Sequence, residues 1–190
     1  MAYTEPIRDA NHVKKLIEYY LKLGQIRNYL LVTLTVHTAL RISDILRIRW
    51  DDVYDFVNKR FFESITITEK KTKKIKIIAL NANILTALTK YIDSARAGAF
   101  LIGNKRTGKA ISRIQAYRII RAASEKLQLQ TRAACHALRK TFGYHSWKNG
   151  VSLAVIMEIY NHSSLAVTKR YLGITQDDIN EAYLSLDFTA

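Results

Sequence analysis

Residues 161–173 read NHSSLAVTKRYLG, with a histidine near the start and a tyrosine near the end. Two serines follow the histidine, and a serine ahead of an apolar run often begins a helix because its hydroxyl caps a free backbone N–H. Tyr171 then ends this predicted helix, nine residues after His162. A tyrosine in such a setting is more often packed than reactive, so the segment alone predicts no chemistry.

Two earlier segments also carry charged side chains next to apolar helices. Residues 38–46 read TALRISDIL and place Arg41 directly after an apolar run, while residues 136–142 read HALRKTF and hold His136 and Arg139. Side chains three positions apart lie on neighbouring faces of one helical turn. Each feature alone usually marks a surface or salt-bridge residue. Their joint occurrence, in this order, indicates a shared site.

The composition favours a partner that carries many negative charges. The chain has 190 residues, which fits one domain better than two, and 30 Lys and Arg against 16 Asp and Glu give a net charge of +14. Phosphate contacts with such a chain release condensed counterions. A basic ribosome-associated protein, or a merely soluble one, would have the same charge, so the charge does not decide between them.

Cysteine content and apolar runs bear on the compartment. The single cysteine, Cys135, excludes an internal disulfide and favours a reducing, cytoplasmic setting. The start of the chain lacks the apolar core of a signal peptide. No apolar run reaches the roughly 20 residues that span a bilayer, so no membrane partner is expected.

Hydrophobic periodicity predicts a mainly helical protein with one small antiparallel sheet inserted early. Period-two alternation in SITIT (64–68) and KIKI (74–77) predicts two strands, joined by the charged tip EKKTK (69–73). A polar arm runs to about Asp9, and a first helix then ends at Gly24. Further helices are expected at about residues 26–40, 42–46, 83–96, 112–128, 136–149, 152–160, 163–170 and 176–186.

Together the segments resemble the tyrosine recombinase, or phage integrase, family from about Thr4 to Gln176. The family patterns A-L-R-x-S-[ED], H-x-L-R and [GN]-H-S-S-x-x-x-T-x-R-Y match Arg41, the pair at 136 and 139, and residues 161–171. A family lysine on a β-hairpin, typically in K-T-G-K, aligns with Lys71. The resemblance implies the catalytic-domain fold of the family and an enzyme that cleaves and rejoins DNA strands.

The resemblance also implies a set of catalytic residues, namely Arg41, Lys71, His136, Arg139, His162 and Tyr171. Tyrosine can form a covalent bond to the 3′-phosphate, and two arginine forks match the phosphate oxygens. Lys71 is the implied general acid, His136 the acid/base partner of the tyrosine, and His162 a hydrogen-bond donor to the phosphate. No cofactor or metal is expected, because protein cations replace it.

Further basic residues are expected to contact double-stranded DNA: Lys70, Lys73, Lys74, Arg113, Arg118, Arg121, Lys169 and Arg170. A solvated face is nearly as favoured for Arg113. The last helix, about Gln176 to Asp187, has an apolar stripe of Ile179, Ala182, Tyr183 and Leu186. That stripe docks either on its own core or on a neighbouring subunit, and the second option would build a homo-oligomer, a tetramer on DNA.

Two departures from the family pattern qualify this interpretation. Asn161 stands where many members have glycine, and we expect a local backbone effect rather than lost activity. The whole chain, 1–190, is expected to be one catalytic domain without a core-binding domain, and a cloned fragment is the alternative. Competing functions are a non-catalytic DNA-binding accessory protein on the same fold and a type IB topoisomerase-like enzyme.

Overall fold

The computed structural model describes residues 4–129 and 133–186, and these form a mainly helical fold with small antiparallel sheets, which confirms the predicted fold class. The helices are α1 (Ala10–Lys22), α2 (Ile26–His37), α3 (Ile42–Ile45), α4 (Ala82–Tyr91), α5 (Arg113–Lys126), α6 (Cys135–Lys148), α7 (Leu153–Tyr160), α8 (Leu165–Leu172) and α9 (Gln176–Leu184). The strands are β1 (Tyr54–Asp55), β2 (Arg60–Phe61), β3 (Ser64–Thr68) and β4 (Ile75–Ala79). They form two antiparallel pairs, β1–β2 and β3–β4, rather than the one sheet expected.

Two helices end earlier than predicted. The helix expected at 26–40 ends at His37, and Ala39 then adopts a left-handed backbone with φ 53°. The helix expected at 83–96 ends at Tyr91 and continues only as a short 3₁₀ turn. Ala39 and Leu40 are nevertheless fully buried. Apolar spacing reports burial, so it continued into a buried loop where the helix had stopped.

Helix α2 is the centre of the main core. All residues from Tyr29 to Val36 are buried, as expected for a helix that is enclosed on every side. Its threonines remain satisfied because the hydroxyls of Thr33, Thr35 and Thr38 donate to carbonyls four residues back, at 2.9, 2.7 and 2.7 Å. Helices α1, α4 and α6 pack on this rod.

A second, smaller core lies beneath α8. Ala39, Ile156, Tyr160 and Leu172 are fully buried there, between α6, α7 and α8. Gly143 of α6 makes the close packing feasible, because a Cβ at this position would stand 2.5 Å from Leu172 Cδ2 and 2.6 Å from Tyr160 Oη. Helix α8 is therefore seated directly on α6, which itself borders both cores.

The β3–β4 hairpin has an inverted face. Thr68 pairs with Ile75 and Ser64 with Ala79, so the predicted alternation is confirmed. However, Ile75 and Ile77 are 70% and 74% exposed, whereas the side chain of Lys76 is only 14% exposed. Burying an isoleucine stabilises a fold by about 1.5–3 kcal/mol, so contacts on the inner face must offset this loss.

The described part of the N-terminal arm packs against the end of α8. The Ile7 N–H donates to Thr141 Oγ1 at 2.9 Å, and Ile7 itself is buried. Arg8 donates to the carbonyl of Gly173, the residue that follows α8, and to Asp178 Oδ2 at 3.1 Å. The arm thus connects α6, α8 and α9.

The apolar stripe of α9 does not pack on the domain. Asp178 caps the helix through Thr175 and is buried, but Ala182, Tyr183 and Leu186 are exposed. Docking of the whole stripe on its own core was therefore wrong, since only Ile179 is partly buried. The predicted helix end, Asp187, lies outside the described residues. No helix in the described ranges is long and apolar enough to cross a bilayer.

Candidate active site

Helix α6 carries two of the predicted catalytic residues. His136 lies in its first turn at the surface, and Arg139 follows one turn later with 3% exposure. The Arg139 guanidinium lies 5.0 Å from the centre of the Tyr160 ring, and Tyr160 Oη donates to the Arg139 carbonyl at 2.6 Å. This buried tyrosine, which the sequence placed in the core, supports the arginine from below.

His162 follows a sharp turn at the end of α7. Asn161 adopts the left-handed conformation with φ 54°, which glycine adopts freely and asparagine tolerates better than most residues, so asparagine is compatible with this turn. The His162 ring stacks on Tyr160 at 5.2 Å between centres. Its Nδ1 lies 3.1 Å from Thr168 Oγ1, which leaves the other ring nitrogen for a ligand.

Tyr171 lies in the last turn of α8, between the two histidines. Its ring centre is 5.3 Å from that of His136 and 4.8 Å from that of His162. Lys140 Nζ lies 5.2 Å from the same ring, a contact that the sequence did not predict. The Tyr171 hydroxyl is buried and has no hydrogen-bond partner among the described residues.

The site is strongly positive and contains neutral histidines. Burial lowers the pKa of His136, and nearby cations that include Arg139 and Arg41 lower it further. Burial also lowers the pKa of His162, with the same two arginines adding to the effect. Burial raises the pKa of Tyr171, and the arginines oppose that rise. Within the described part of the chain, no group of three His, Cys, Asp or Glu side chains could hold a metal ion.

Arg41 reaches this cluster from the residue before α3. Its Nη1 donates to Glu69 Oε1 at 2.8 Å, and Lys76 Nζ lies 3.2 Å from the same oxygen. The sequence placed Glu69 in the charged hairpin tip, and its side chain is fully buried. The sequence signal that bears on this burial is the alternation of β4. It shows which residues share a face of the strand, but not which of the two faces is buried.

The predicted general acid is separated from the cluster. Lys71 lies in the exposed turn between β3 and β4, and its side chain makes no hydrogen bond or ion pair with any residue that the structure describes. Lys76 is the hairpin lysine that contacts the site. The structure thus brings together Arg41, His136, Arg139, His162 and Tyr171 and leaves Lys71 at the tip.

The residues predicted to contact DNA are mostly at the surface, as a phosphate contact requires. Those exposed are Lys70, Lys73, Lys74, Arg113, Arg118, Lys169 and Arg170. Arg121 differs, because its Nε pairs with Glu125 at 2.6 Å. Lys169 and Arg170 line a groove with Glu5 and Gly173.

Comparisons with known proteins identify the family of this chain. The model of the phage integrase family matches residues 8–177. The probable integrase/recombinase YoeC of Bacillus subtilis (strain 168) is 37% identical over 183 residues, which cover 96% of this chain and 97% of YoeC. Tyrosine recombinase XerA of Pyrococcus furiosus is 27% identical over 173 residues, covering 90% of this chain but 58% of XerA. The chain spans nearly all of YoeC and little more than half of XerA.

Solved structures share the fold. A crystal structure of XerA recombinase superposes with a TM-score of 0.77 at 22% identity, covering 96% of this chain and 65% of that one. XerH bound to its palindromic difH substrate gives 0.77 at 20% identity, covering 97% and 54%. Lambda integrase bound to DNA gives 0.67 at 16%, covering 100% and 66%. The family model matches residues 8–177 of this chain, and YoeC is 37% identical over nearly the whole of both chains. This chain therefore belongs to the phage integrase family of tyrosine recombinases.

Proposed function

We propose that this chain cleaves and rejoins strands of double-stranded DNA by transesterification, with Tyr171 as the nucleophile. Two buried atoms carry the proposal: Tyr171 Oη and Arg139 Nη1 have no hydrogen-bond partner among the described residues. A buried polar group left unpaired costs about 1–3 kcal/mol, and more if it is charged. A scissile phosphate would give Arg139 an acceptor and Tyr171 an electrophile.

The reaction follows from the groups around that phosphate. The Tyr171 oxygen forms a bond to phosphorus while the bond from phosphorus to the 5′-oxygen breaks, and the 3′-phosphate stays on the tyrosine. The phenolic proton passes to His136, whose lowered pKa keeps it neutral near pH 7 and ready to accept it. The two arginines neutralise the charge that develops on the non-bridging oxygens. Attack by a 5′-hydroxyl then reverses the reaction and joins strands.

Lys71 is proposed to protonate the leaving 5′-oxygen, and His162 to donate to the phosphate. Thr168 contacts Nδ1 of His162, so Nε2 is available for a phosphate oxygen. Lys71 lies in the exposed turn, so the hairpin tip must move toward the phosphate when DNA binds. Removal of the Lys71 amine should slow cleavage of a normal substrate and matter little for one with sulfur at the bridging 5′ position.

Double-stranded DNA is the proposed substrate because of charge and relatives. The net charge of +14 and the exposed cations of α5 and the hairpin suit a phosphate backbone. Lambda integrase has been solved bound to DNA, and XerH has been solved bound to its palindromic difH substrate. By analogy with XerH, which is named a site-specific recombinase, we propose that the reaction of this chain is site-specific recombination.

A nicked suicide substrate tests the nucleophile. After cleavage, the short strand that carries the free 5′-hydroxyl diffuses away and cannot rejoin. Wild type should therefore accumulate a covalent protein–DNA band that resists denaturant. Tyr171→Phe should bind DNA equally well and give no band, because only the nucleophilic oxygen is lost. Binding without a band from wild type would favour an accessory DNA-binding protein. Relaxation of a supercoiled plasmid without recombination would favour a topoisomerase-like activity.

We also propose assembly on DNA through the C-terminal segment. Tyr183, Leu184 and Leu186 of this segment are 76%, 85% and 65% exposed, an arrangement typical of a surface that is covered by a partner. Light scattering with DNA should show more than one protomer per complex for wild type. Leu184→Glu should reduce that number without lowering the melting temperature, since the side chain contacts solvent in the single chain.

A further inference from the structure

The buried pair of Glu69 and Lys76 is the feature that the proposed reaction does not use. Lys76 Nζ contacts Glu69 Oε1 at 3.2 Å and donates to the carbonyl of Ile159, at the end of α7. The side chain of Glu69 is 0% exposed. Two isoleucines of the same strand stay in solvent while the lysine points inward, so the sequence gives up apolar burial to keep this pair.

The Glu69 carboxylate connects the separate segments of the site. Oε1 accepts from Arg41 Nη1 at 2.8 Å, and Oε2 accepts from Thr72 Oγ1 at 2.5 Å and from Asn161 Nδ2 at 3.0 Å. Thr72 neighbours the hairpin lysine at the tip, and Asn161 directly precedes the histidine of the phosphate site. One carboxylate therefore holds the first arginine, the hairpin turn and the turn after α7.

We propose that Glu69 is a positioning residue, which with Lys76 fixes the Arg41 guanidinium and the Asn161 turn in the arrangement that receives the scissile phosphate. The inference rests on the proposed function and adds a residue to which no role has been assigned. Among the described residues, Glu69 alone accepts a hydrogen bond from Arg41. The remaining guanidinium N–H groups stay available, and the 27% exposure of the arginine side chain leaves them a route to DNA.

The geometry favours positioning over competition with the phosphate. A carboxylate that blocked the site would have to leave when DNA binds, yet Glu69 is enclosed. Three of its four donors, Arg41, Lys76 and Asn161, lie outside the hairpin turn that is proposed to move. It also reduces repulsion among the cations of the site. Burial lowers the pKa of Lys76 and the charges of Arg139 and Arg41 add to that effect, whereas the Glu69 carboxylate opposes it. The Arg41 guanidinium is thus held in place before the phosphate arrives, which is what electrostatic preorganisation requires.

A double-mutant cycle on single-turnover cleavage tests this role. Glu69→Gln should slow formation of the covalent band by about 10- to 100-fold, by analogy with the loss seen when a residue that orients a metal ligand is removed. The dissociation constant for DNA should change by less than about threefold. Arg41→Lys lacks the planar guanidinium that Glu69 holds. In that background, adding Glu69→Gln should slow cleavage by less than about threefold, because the effect of Glu69 passes through the arginine.

Several results would overturn the inference. Equal losses in the two backgrounds would indicate a general structural role, and faster cleavage by Glu69→Gln would indicate that the carboxylate competes with DNA. Rescue of Lys76→Met by a substrate with sulfur at the bridging 5′ position would make Lys76 the proton donor instead. If wild type itself gives no covalent band, the proposed function fails, whereas full-rate cleavage by Glu69→Gln contradicts the positioning role alone.

A charge-balanced variant distinguishes a loss of positioning from a loss of folding. Glu69→Gln with Lys76→Met removes both buried charges together, which is often neutral for stability. This double variant should retain the melting temperature and still cleave slowly, because Arg41 has lost its acceptor. Normal cleavage by the folded double variant would contradict the proposal.

Discussion

Gly143→Ala should separate the placement of the nucleophile from the stability of the fold. The new Cβ would stand 2.5 Å from Leu172 Cδ2 and 2.6 Å from Tyr160 Oη, whereas carbon atoms rest about 3.5–4.0 Å apart. One of the packed groups must therefore shift, and because Leu172 and Tyr160 are fully buried we expect α8 to move outward by about 1 Å. Overpacking costs about 1–3 kcal/mol, and alanine in place of a helical glycine returns about 1 kcal/mol.

The net loss should then be about 0–2 kcal/mol, or a fall of about 2–4 °C in melting temperature for each kcal/mol in a chain of this size. The chemistry should suffer much more. Tyr171 precedes Leu172 on the displaced helix, and a misplacement of about 1 Å can cost about 10²-fold in rate. We expect a folded protein that cleaves about 100-fold more slowly.

Calorimetry and single-turnover accumulation of the covalent band measure the two effects separately. Ser146→Ala is the matched control, because it also improves helix propensity in α6 and its side chain makes no hydrogen bond to another described residue. It should leave both the melting temperature and the rate close to wild type. Cleavage by Gly143→Ala within about threefold of wild type would refute the idea that the spacing of α6 and α8 sets the position of the tyrosine.

Three further predictions concern protons and salt. The pKa of His136 lies below its ordinary 6.5, so the acid limb of the pH–rate profile should have its midpoint below 6.5, and a midpoint above that value would contradict its role as base. Asp178→Asn should lower stability at pH 7 by about 1–3 kcal/mol, less than for a fully buried pair because Arg8 and Lys148 are about one-third exposed. Hydrogen bonds outweigh burial and hold the pKa of Asp178 below 3.8, so its stabilisation is present above pH 3.8 and is lost on further acidification. The melting temperatures of wild type and Asp178→Asn should therefore converge below pH 3.8. A difference that stays constant with pH would argue against a role for the charge. DNA affinity should fall by about 10³- to 10⁵-fold between 50 and 200 mM salt, and Arg118→Ala should reduce the salt slope more than Arg121→Ala, whose charge is already paired, whereas equal slopes would remove Arg118 from the interface.

Local spacing predicted well those parts of the site that lie within one element. His136 and Arg139 are three residues apart and share α6, so the helical period alone places them together. The approach of Arg41 to Tyr171, close enough for its charge to lower the pKa of the tyrosine, joins segments with no common period. Resemblance to a family supplied that information, because periodicity describes one element at a time.

The inverted hairpin shows what the pattern could not supply. A period of two fixes which residues share a face but not which face is inside, and the usual rule would have buried Ile75 and Ile77. The deciding interactions are those of Lys76 with Glu69 and with the end of α7, more than 80 residues further along. The apolar stripe of α9 has the same ambiguity, because helical spacing does not say whether its cover is the same chain or another.

The clasp of the N-terminal arm has a consequence for the order of folding. The bond from Arg8 to Asp178 joins residues 170 positions apart, and that from Ile7 to Thr141 spans 134. Long-range contacts of this kind form late, because the entropy of closing a large loop must be met before the contact repays it. During synthesis, residue 8 leaves the ribosome long before residue 178. Until then the N-terminal arm lacks its partner in α9. The contacts that hold the end of the helix carrying Tyr171 should therefore form late in folding, once the C-terminal part of the chain is available.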